Sequence, residues 1–278
     1  MYFRPETIEE ALAIKARYRE KAAVVAGGTD LVVQMRAGKK NPEVLLDISR
    51  LPLDQVEMDL EQVRLGACVK IAFLYRDDFL CGTFPALAEA ARQLGAPPVQ
   101  NLATLGGNLC NASPAADCAT PLLAYRAEVF LASNRGKRTV PLADFFLGPG
   151  ETTLVPDELL VGVTAPRPAP GTRAAFYKSG PRRAQVISTI NACFSVRVEG
   201  GLLRDPALAF GCLGPTPHRA IALERHLEGK KAPGFAREDW QPFLDQALSP
   251  ISDVRGSDWY KRDLAASFLA DFLEGLTP

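Results

Sequence analysis

Residues 104–117 read Thr-Leu-Gly-Gly-Asn-Leu-Cys-Asn-Ala-Ser-Pro-Ala-Ala-Asp, and the interpretation of the whole chain starts from this stretch. It combines two glycines with short polar side chains at a place where an ordinary core segment has bulky apolar residues. Glycine lacks Cβ, so the backbone can approach a ligand closely, and successive N–H groups of such a loop can bind an anion. We therefore predict a ligand-binding loop here, with a long turn between two elements as the alternative.

A second glycine pair lies near the N-terminus, in Gly27-Gly28-Thr29-Asp30-Leu31. It follows a predicted strand at 22–26 and precedes a predicted short helix at 32–36. The order of strand, glycine loop and helix start directs backbone N–H groups and the positive end of a helix dipole to one place, which suits a pyrophosphate. A tight strand-to-helix turn is the alternative for this loop taken alone. Two such loops could enclose one dinucleotide between subdomains.

The composition excludes several classes of function. The chain has 278 residues, with 32 Lys and Arg against 32 Asp and Glu, and this balance predicts no general attraction to nucleic acid or to an anionic membrane. No apolar run reaches the ~18 residues of a membrane span, and the N-terminus is unlike a signal peptide, so we expect a cytoplasmic protein. Gly-x-Gly-x-x-Gly and Walker-type motifs do not occur, which argues against Rossmann and P-loop nucleotide sites.

The cysteines and histidines provide no motif for a metal site. No pair of cysteines has the Cys-x2-Cys spacing that is common in zinc and iron–sulfur sites, so we expect reduced, mostly buried thiols. The two histidines, His218 and His226, lie outside any motif with a mechanical role and are expected to be structural. The six cysteines are Cys68, Cys81, Cys110, Cys118, Cys193 and Cys212.

The hydrophobic pattern predicts an α+β protein. A capping box at Thr7 and Glu10 opens a predicted helix that extends to about residue 19. The last hundred residues are predicted as an antiparallel meander covered by helices. Its predicted strands are 173–178, 187–198 and 207–212, and its predicted helices are 223–227, 240–248 and 258–273. The predicted buried stripe of the last helix is Tyr260, Leu264, Phe268 and Phe272.

Two segments are predicted to separate subdomains. Residues 51–60 mix polar and apolar residues as a linker does, and residues 166–171 contain three prolines and a glycine. We therefore expect three units, at 1–60, 61–171 and 172–278.

Four segments are shared with one known family: Ala-Gly-Gly-Thr-Asp-Leu at 26–31, Thr-Leu-Gly-Gly-Asn at 104–108, Ala-Ser-Pro-Ala-Ala-Asp at 112–117 and Phe-Tyr-Lys at 176–178. With these segments the chain resembles the FAD-binding (medium) subunit of molybdenum hydroxylases, the carbon monoxide dehydrogenase and xanthine dehydrogenase family. The resemblance runs essentially from end to end. The paired glycine loops are its specific part, and Asp253-Val254-Arg255 with Tyr260-Lys261 only support it.

The resemblance implies a fold and a set of cofactor contacts. The fold is the vanillyl-alcohol-oxidase type, in which two α+β subdomains enclose FAD, followed by a C-terminal α+β domain. Lys178 would reach the flavin, and Asp117 would hold the ribityl chain or ring edge, or cap its helix. Some relatives carry an aromatic residue at Leu94. The implied FAD-binding residues are Val24, Val25, Ala26, Gly27, Gly28, Thr29, Asp30, Leu31, Leu94, Thr104, Gly106, Gly107, Asn108, Asn111, Ser113, Asp117, Leu160 and Lys178.

The resemblance also implies partners. A 2Fe-2S small subunit would supply electrons, a molybdopterin-containing large subunit would oxidise the substrate, and NAD, a quinone or another external acceptor would take the electrons. No catalytic residue, metal site, nucleic acid or membrane span is expected in this chain. Two alternatives remain at this point: a stand-alone flavin-dependent oxidoreductase, and a flavin-free assembly module that keeps the fold.

Overall fold

The computed structural model describes residues 1–182, 185–232, 234 and 236–276. Its α-helices are α1 (Ile8–Tyr18), α2 (Leu31–Arg36), α3 (Ile71–Leu74), α4 (Asp78–Thr83), α5 (Pro85–Gln93), α6 (Pro97–Leu102), α7 (Leu105–Cys110), α8 (Ala119–Ala124), α9 (Ile221–Leu227), α10 (Arg237–Ala247) and α11 (Asp258–Glu274). Its strands are β1 (Tyr2–Phe3), β2 (Ala22–Val25), β3 (Val44–Asp47), β4 (Val56–Met58), β5 (Gln62–Gly66), β6 (Glu128–Ser133), β7 (Gly136–Pro141), β8 (Phe146–Gly148), β9 (Glu151–Thr152), β10 (Leu159–Pro166), β11 (Thr172–Ser179), β12 (Ile190–Glu199), β13 (Leu202–Gly211) and β14 (His218–Arg219).

Three larger sheets organise the chain. The N-terminal sheet is parallel, with the order β1-β3-β2. The second sheet has the order β4-β5-β10-β6-β7 and the third has the order β11-β12-β13-β14, and both are antiparallel. The short β8-β9 pair lies between β7 and β10 in the sequence. Because β2 and β3 are parallel and joined through α2, the first glycine loop is at the carboxyl edge of the N-terminal sheet, where α/β sheets commonly bind ligands.

Helix α1 begins as the sequence predicts. The Thr7 hydroxyl accepts a hydrogen bond of 3.2 Å from the Glu10 N–H, which satisfies one of the free donors of the first turn. The Glu10 carboxylate accepts from the N–H of Glu6, one residue before the N-cap. Ala11 and Leu12 are buried in an apolar cluster with Leu46 of β3, so α1 covers the parallel sheet.

The stretch at 104–117 corrects the prediction of a continuous loop. Its first part is helix α7, with Thr104 as N-cap and a 3.1 Å hydrogen bond from the Gly107 N–H to the Thr104 hydroxyl. Two adjacent glycines disfavour a helix by intrinsic propensity. Here Leu105 and Leu109 are completely buried in the central core, and this tertiary packing outweighs the propensity.

Other short elements also differ from the sequence pattern. Strand β4 lies inside the segment 51–60 that the pattern assigns to a linker, and it pairs with β5. Asp117 is not a helix N-cap: α8 begins at Ala119 with Cys118 as its N-cap.

The division at 60 and 171 stays a prediction, and the last two residues of the third unit, 277–278, lie outside the described residues.

The C-terminal meander is confirmed, and α9, α10 and α11 pack against it. The buried stripe of α11 is rotated relative to the prediction, because Tyr260 is 42% exposed and Lys261 is buried in its place. The Lys261 ammonium donates to the carbonyl oxygen of Ile251 at 2.8 Å and pairs with Asp253 at 3.1 Å. These contacts stabilise the buried ammonium group of Lys261. A hydrophobic pattern does not predict the burial of a lysine.

No helix in the described ranges is both long and apolar enough to cross a membrane.

Candidate functional site

A cavity of about 430 Å³ lies between the N-terminal parallel sheet and the elements that surround β10. One wall is β2 and the glycine loop that follows it. The opposite walls are α7 and the segment 154–160, which leads into β10. The cavity brings together most of the residues that the sequence assigns to the cofactor, namely Val24, Val25, Ala26, Gly27, Gly28, Thr29, Asp30, Leu31, Leu94, Thr104, Gly106, Gly107, Asn108, Asn111 and Leu160.

The two glycine loops approach each other at Gly27. A Cβ atom at this position would overlap with the carbonyl oxygen of Leu102 and would lie 3.0 Å from the Cα of Ala103, so only glycine fits there. The next residue, Gly28, has a φ of +68°, a conformation that side chains disfavour. Segments that are about 75 residues apart in the sequence are therefore in backbone contact on the cavity wall.

The first loop has a row of free backbone donors. Within the described residues, no hydrogen bond is donated by the N–H groups of Gly27, Gly28, Thr29 or Asp30. The carbonyl oxygens of Gly28 and Asp30 accept from the first turn of α2, at 3.1 and 3.0 Å. These residues are half-buried or exposed on the cavity wall, so their N–H groups are open to a bound molecule. A row of such donors suits a ligand with several acceptor oxygens, such as a pyrophosphate.

The second glycine loop does not provide a second row of free N–H donors, contrary to the prediction. The N–H groups of Leu105 and Gly106 donate to Val69 O and Ala67 O, each at 2.9 Å, and the Gly107 N–H donates to the Thr104 hydroxyl. These donors hold α7 against the end of β5 and are not free for a ligand. What this loop offers the cavity is a small-residue surface at Gly107 and the side chain of Asn108.

Asn108 contributes an acceptor without a partner. Its Oδ1 atom is buried and has no hydrogen-bond partner within the described chain. A buried polar atom is usually hydrogen-bonded, so this oxygen indicates a donor on a bound molecule. The unpaired acceptor and the free N–H groups together fit a dinucleotide, which has hydroxyl and imide donors as well as phosphate oxygens.

The charges on the cavity wall also fit an anionic ligand. Glu158 accepts two hydrogen bonds from Arg138, at 2.7 and 2.8 Å, and these hold the pKa of its carboxyl below the usual range. Asp30 accepts from the side-chain amide of Gln34. Lys15 and Lys40 also line the cavity and have no ion pair within the described residues. Glu158 is therefore paired with a cation and Asp30 is not, while the two ammonium groups of the lining have no carboxylate partner within the described residues.

Cys110 is a thiol that sequence reasoning did not place in the cavity. It lines the cavity, and burial of the thiol raises its pKa to about 12. A thiol with this pKa stays protonated at neutral pH and is a poor nucleophile.

Several lining residues have no sequence motif. Some flank predicted positions in the sequence and could have been inferred from them, namely Ala23, Ala103, Cys110 and Leu159. The others are brought in by tertiary packing alone and are Lys15, Lys40, Ile48, Ala67, Val99, Leu154, Val155, Pro156 and Glu158.

Three residues of the predicted set, Ser113, Asp117 and Lys178, are not on the cavity wall. The Ser113 hydroxyl accepts from the N–H of Ala115 in a local turn. Asp117 and Lys178 form a buried ion pair of 2.6 Å, with side chains that are 8% and 4% exposed. Lys178 also donates to the Gln93 carbonyl oxygen at 3.0 Å, and its contact with the flavin stays a prediction.

The ion pair belongs to a buried network between the second and third sheets. The other oxygen of Asp117 accepts from the Ser188 hydroxyl at 2.7 Å and from the Asn191 amide at 3.1 Å. Burial raises the pKa of the Asp117 carboxyl, and Lys178 and these hydrogen bonds oppose that rise. Because Gln93 directly precedes Leu94, the network fixes the end of α5 at the cavity wall.

Comparison with known proteins defines the class. A model of the FAD-binding domain in molybdopterin dehydrogenases matches residues 1–168. A model of the carbon monoxide dehydrogenase flavoprotein C-terminal domain matches residues 175–276. The fold and the site thus define a two-part flavoprotein of α+β architecture.

Individual relatives agree over nearly the whole chain. The xanthine dehydrogenase FAD-binding subunit of Escherichia coli O157:H7 is 35% identical over 266 residues, which cover 95% of this chain and 91% of that protein. The nicotinate dehydrogenase FAD-subunit of Eubacterium barkeri is 32% identical, with coverages of 94% and 90%. A chain in the structure of carbon monoxide dehydrogenase from Hydrogenophaga pseudoflava superimposes with a TM-score of 0.91 at 31% identity, over 97% of this chain and 94% of that one.

The chain belongs to the family of FAD-binding medium subunits of molybdopterin dehydrogenases. It is an oxidoreductase subunit, and its cofactor is FAD.

The close contact of Gly27 with Leu102 can be tested by substitution. We expect Gly27→Ala to lower the free energy of unfolding by about 1–3 kcal/mol, because its Cβ overlaps with the Leu102 carbonyl group and one backbone segment must move. The same movement displaces the free N–H groups, so FAD affinity should fall about tenfold or more. Thermal unfolding and flavin fluorescence titration measure the two effects.

Gly82→Ala is the matched control for this change. Gly82 lies in α4, and a Cβ added there would meet no atom within 4 Å, so alanine should stabilise the helix by up to ~1 kcal/mol and leave FAD binding unchanged. Normal stability and affinity in Gly27→Ala would contradict the close backbone contact.

The buried network makes a second prediction. Asp117→Ala leaves the Lys178 ammonium buried without its carboxylate, and we expect a loss of about 3–5 kcal/mol in the free energy of unfolding. The double variant Asp117→Ala/Lys178→Met should recover most of that loss, because it has no uncompensated charge. Denaturant unfolding of the three proteins provides the test. An equal loss in the single and double variants would show that the pair is not the stabilising contact.

Proposed function

We propose that the chain holds FAD in the cavity and serves as the electron-transfer flavin subunit of a multisubunit molybdenum hydroxylase. FAD supplies the ability to exchange electrons one or two at a time. In this proposal the electrons come from the iron–sulfur clusters of a small subunit and go on to an external acceptor. The observation that carries the proposal is the row of free N–H groups at Gly27–Asp30 on a cavity that also has the unpaired Asn108 oxygen.

The cavity residues have separable roles in this proposal. The N–H groups of the first loop would hold the pyrophosphate, and Asn108 Oδ1 would accept from a hydroxyl or N–H group of the cofactor. Leu94 and Leu160 would pack on its ring systems, because both are apolar residues of the cavity lining. The other contacts with FAD would be made by the remaining lining residues of the predicted set. Asp117 and Lys178 would act behind the wall by fixing the end of α5.

Among the described lining residues, no carboxylate, thiol or histidine is a free general base. The carboxylates of the lining are engaged by Arg138 and Gln34, its thiol has a raised pKa, and His218 and His226 are not among its described residues. A general base needs a free group with a pKa near the working pH. This supports electron transfer over a stand-alone flavin oxidoreductase with its own substrate. A flavin-free assembly module does not agree with an FAD-binding family.

The partners of this proposal are a molybdopterin-containing large subunit and a 2Fe-2S small subunit, with NAD, a quinone or another molecule as acceptor. Similar proteins that are named FAD-binding subunits or medium chains of dehydrogenases support the assembly. We also propose a cytoplasmic location, supported by six cysteines that are all free thiols, since disulfides are rare in reducing compartments.

Gly107 tests the cofactor site. We expect the purified chain to bind one FAD noncovalently, with flavin absorption bands that are released by acid precipitation. In Gly107→Val the Cβ would meet only the Thr104 hydroxyl, at 3.0 Å, so the branched side chain would occupy the cavity and abolish FAD binding with little change in stability. Gly82→Val, outside the cavity, should bind FAD normally. A folded wild-type chain that takes up no FAD would refute the site.

Copurification tests the assembly. We expect the chain isolated from its own cells to be part of a complex that contains molybdenum and iron, and its flavin to be reduced when the substrate of that complex is added. Metal analysis and absorption spectra of the complex measure this. A metal-free flavoprotein that oxidises a substrate alone would favour the stand-alone alternative.

A further inference from the structure

Lys15 is a buried lysine on the wall of the FAD cavity. It is 8% exposed, although lysine is rarely buried. Its ammonium donates to the carbonyl oxygens of Arg19 and Ala22, each at 2.9 Å. An ammonium group has three N–H donors, and within the described chain the third has no acceptor. The side chain therefore keeps one donor for another molecule.

The charge of Lys15 is not neutralised by a carboxylate. The acidic groups that face it are Glu20 and Asp157, and neither is within ion-pair distance. Asp157 is bound instead by Arg135 at 3.0 Å. Burial lowers the pKa of the Lys15 ammonium, which shows that the charge is costly at this place without a further acceptor.

Lys15 lies where the lining is buried, and we call this part the enclosed end of the cavity. Asp157 acts on the charge of Lys15, and Leu159 shares an apolar cluster with Ala11 and Leu12 of the same helix. Leu159 and Leu160 are 2% and 5% exposed, whereas Gly107 on α7 is exposed. A flavin ring that exchanges electrons with partners must be close to the protein surface. The enclosed end therefore suits the other ring of FAD, the adenine, which takes no part in electron transfer.

We propose that Lys15 is a specificity-determining residue that donates a hydrogen bond to a ring nitrogen of the FAD adenine. Adenine presents unprotonated ring nitrogens as acceptors, and the apolar side chains beside Lys15 suit its flat ring. The contact selects FAD over FMN, which lacks the adenine nucleotide. This inference rests on the proposed binding of FAD in the cavity.

Lys15 also closes the end of α1. Arg19, whose carbonyl oxygen it binds, has a φ of +49°, which is unusual for a residue other than glycine. If the role of Lys15 is purely structural, its replacement should lower the stability of the protein. It should then also weaken the binding of every ligand to the same degree, because the cavity wall is disturbed. A recognition residue would affect only ligands that contain adenine, and this difference makes the two roles separable.

The test compares three ligands with the full-length chain. FAD, FMN and ADP are titrated by fluorescence or calorimetry against wild type and Lys15→Met. We expect the variant to bind FAD and ADP about tenfold or more weakly, because a hydrogen bond from a charged group is lost. FMN affinity should not change. The control is Lys21→Met, an exposed lysine paired with Glu43 and outside the cavity lining, which should leave all three affinities unchanged.

Lys15→Gln protects the test against a folding defect. Its amide can still donate to the carbonyl oxygens of Arg19 and Ala22, but it has no charge, and we expect the same selective loss of FAD and ADP binding. Equal losses for FAD, FMN and ADP, or unchanged FAD affinity in both variants, would overturn the role of Lys15. Failure of wild type to bind FAD at all would instead overturn the proposed function.

Discussion

The structure depends most on the backbone contact between the two glycine loops, where Gly27 lies against Leu102 and Ala103. No side chain fits between these segments, so the distance between them is set by the backbones themselves. Backbone contacts vary less than side-chain contacts because they involve no rotamer freedom. The contact joins the parallel sheet to the core that contains α7, and the cofactor cavity lies beside it. The shape of the cavity is therefore fixed before any ligand is present.

The two loops contribute to the cavity in different ways, although their sequences are similar. The first loop leaves its N–H groups free and thereby provides donors for an anion. The second loop uses its N–H groups to bind Val69, Ala67 and its own N-cap, and so anchors α7 to the core. One glycine pair serves ligand recognition and the other serves close packing. Because a pyrophosphate carries negative charge, a row of free N–H donors suits it without an arginine cluster.

The C-terminal domain acts on the cavity through buried polar contacts. Its residues Lys178, Ser188 and Asn191 surround the carboxylate of Asp117, and Lys178 reaches the end of α5. A buried charge network of this kind is destabilising if one member is lost, so it holds the two sheets in one arrangement. The cavity wall at Leu94 is thus supported by a domain from which no described residue lines the cavity.

The sequence by itself determined the C-terminal meander and the capping of α1, because these follow from local periodicity and from a short motif. Its resemblance to the family gave the class and implied many of the residues that line the cavity. Only the tertiary structure decided that 105–110 is a helix, that Asp117 and Lys178 pair behind the wall, and that Lys15 belongs to the site. Leu105 and Leu109 form a helix because the core buries them, which no local propensity indicates. Lys15 is outside both motifs in the sequence, and only the packing of α1 on the parallel sheet brings it to the cavity.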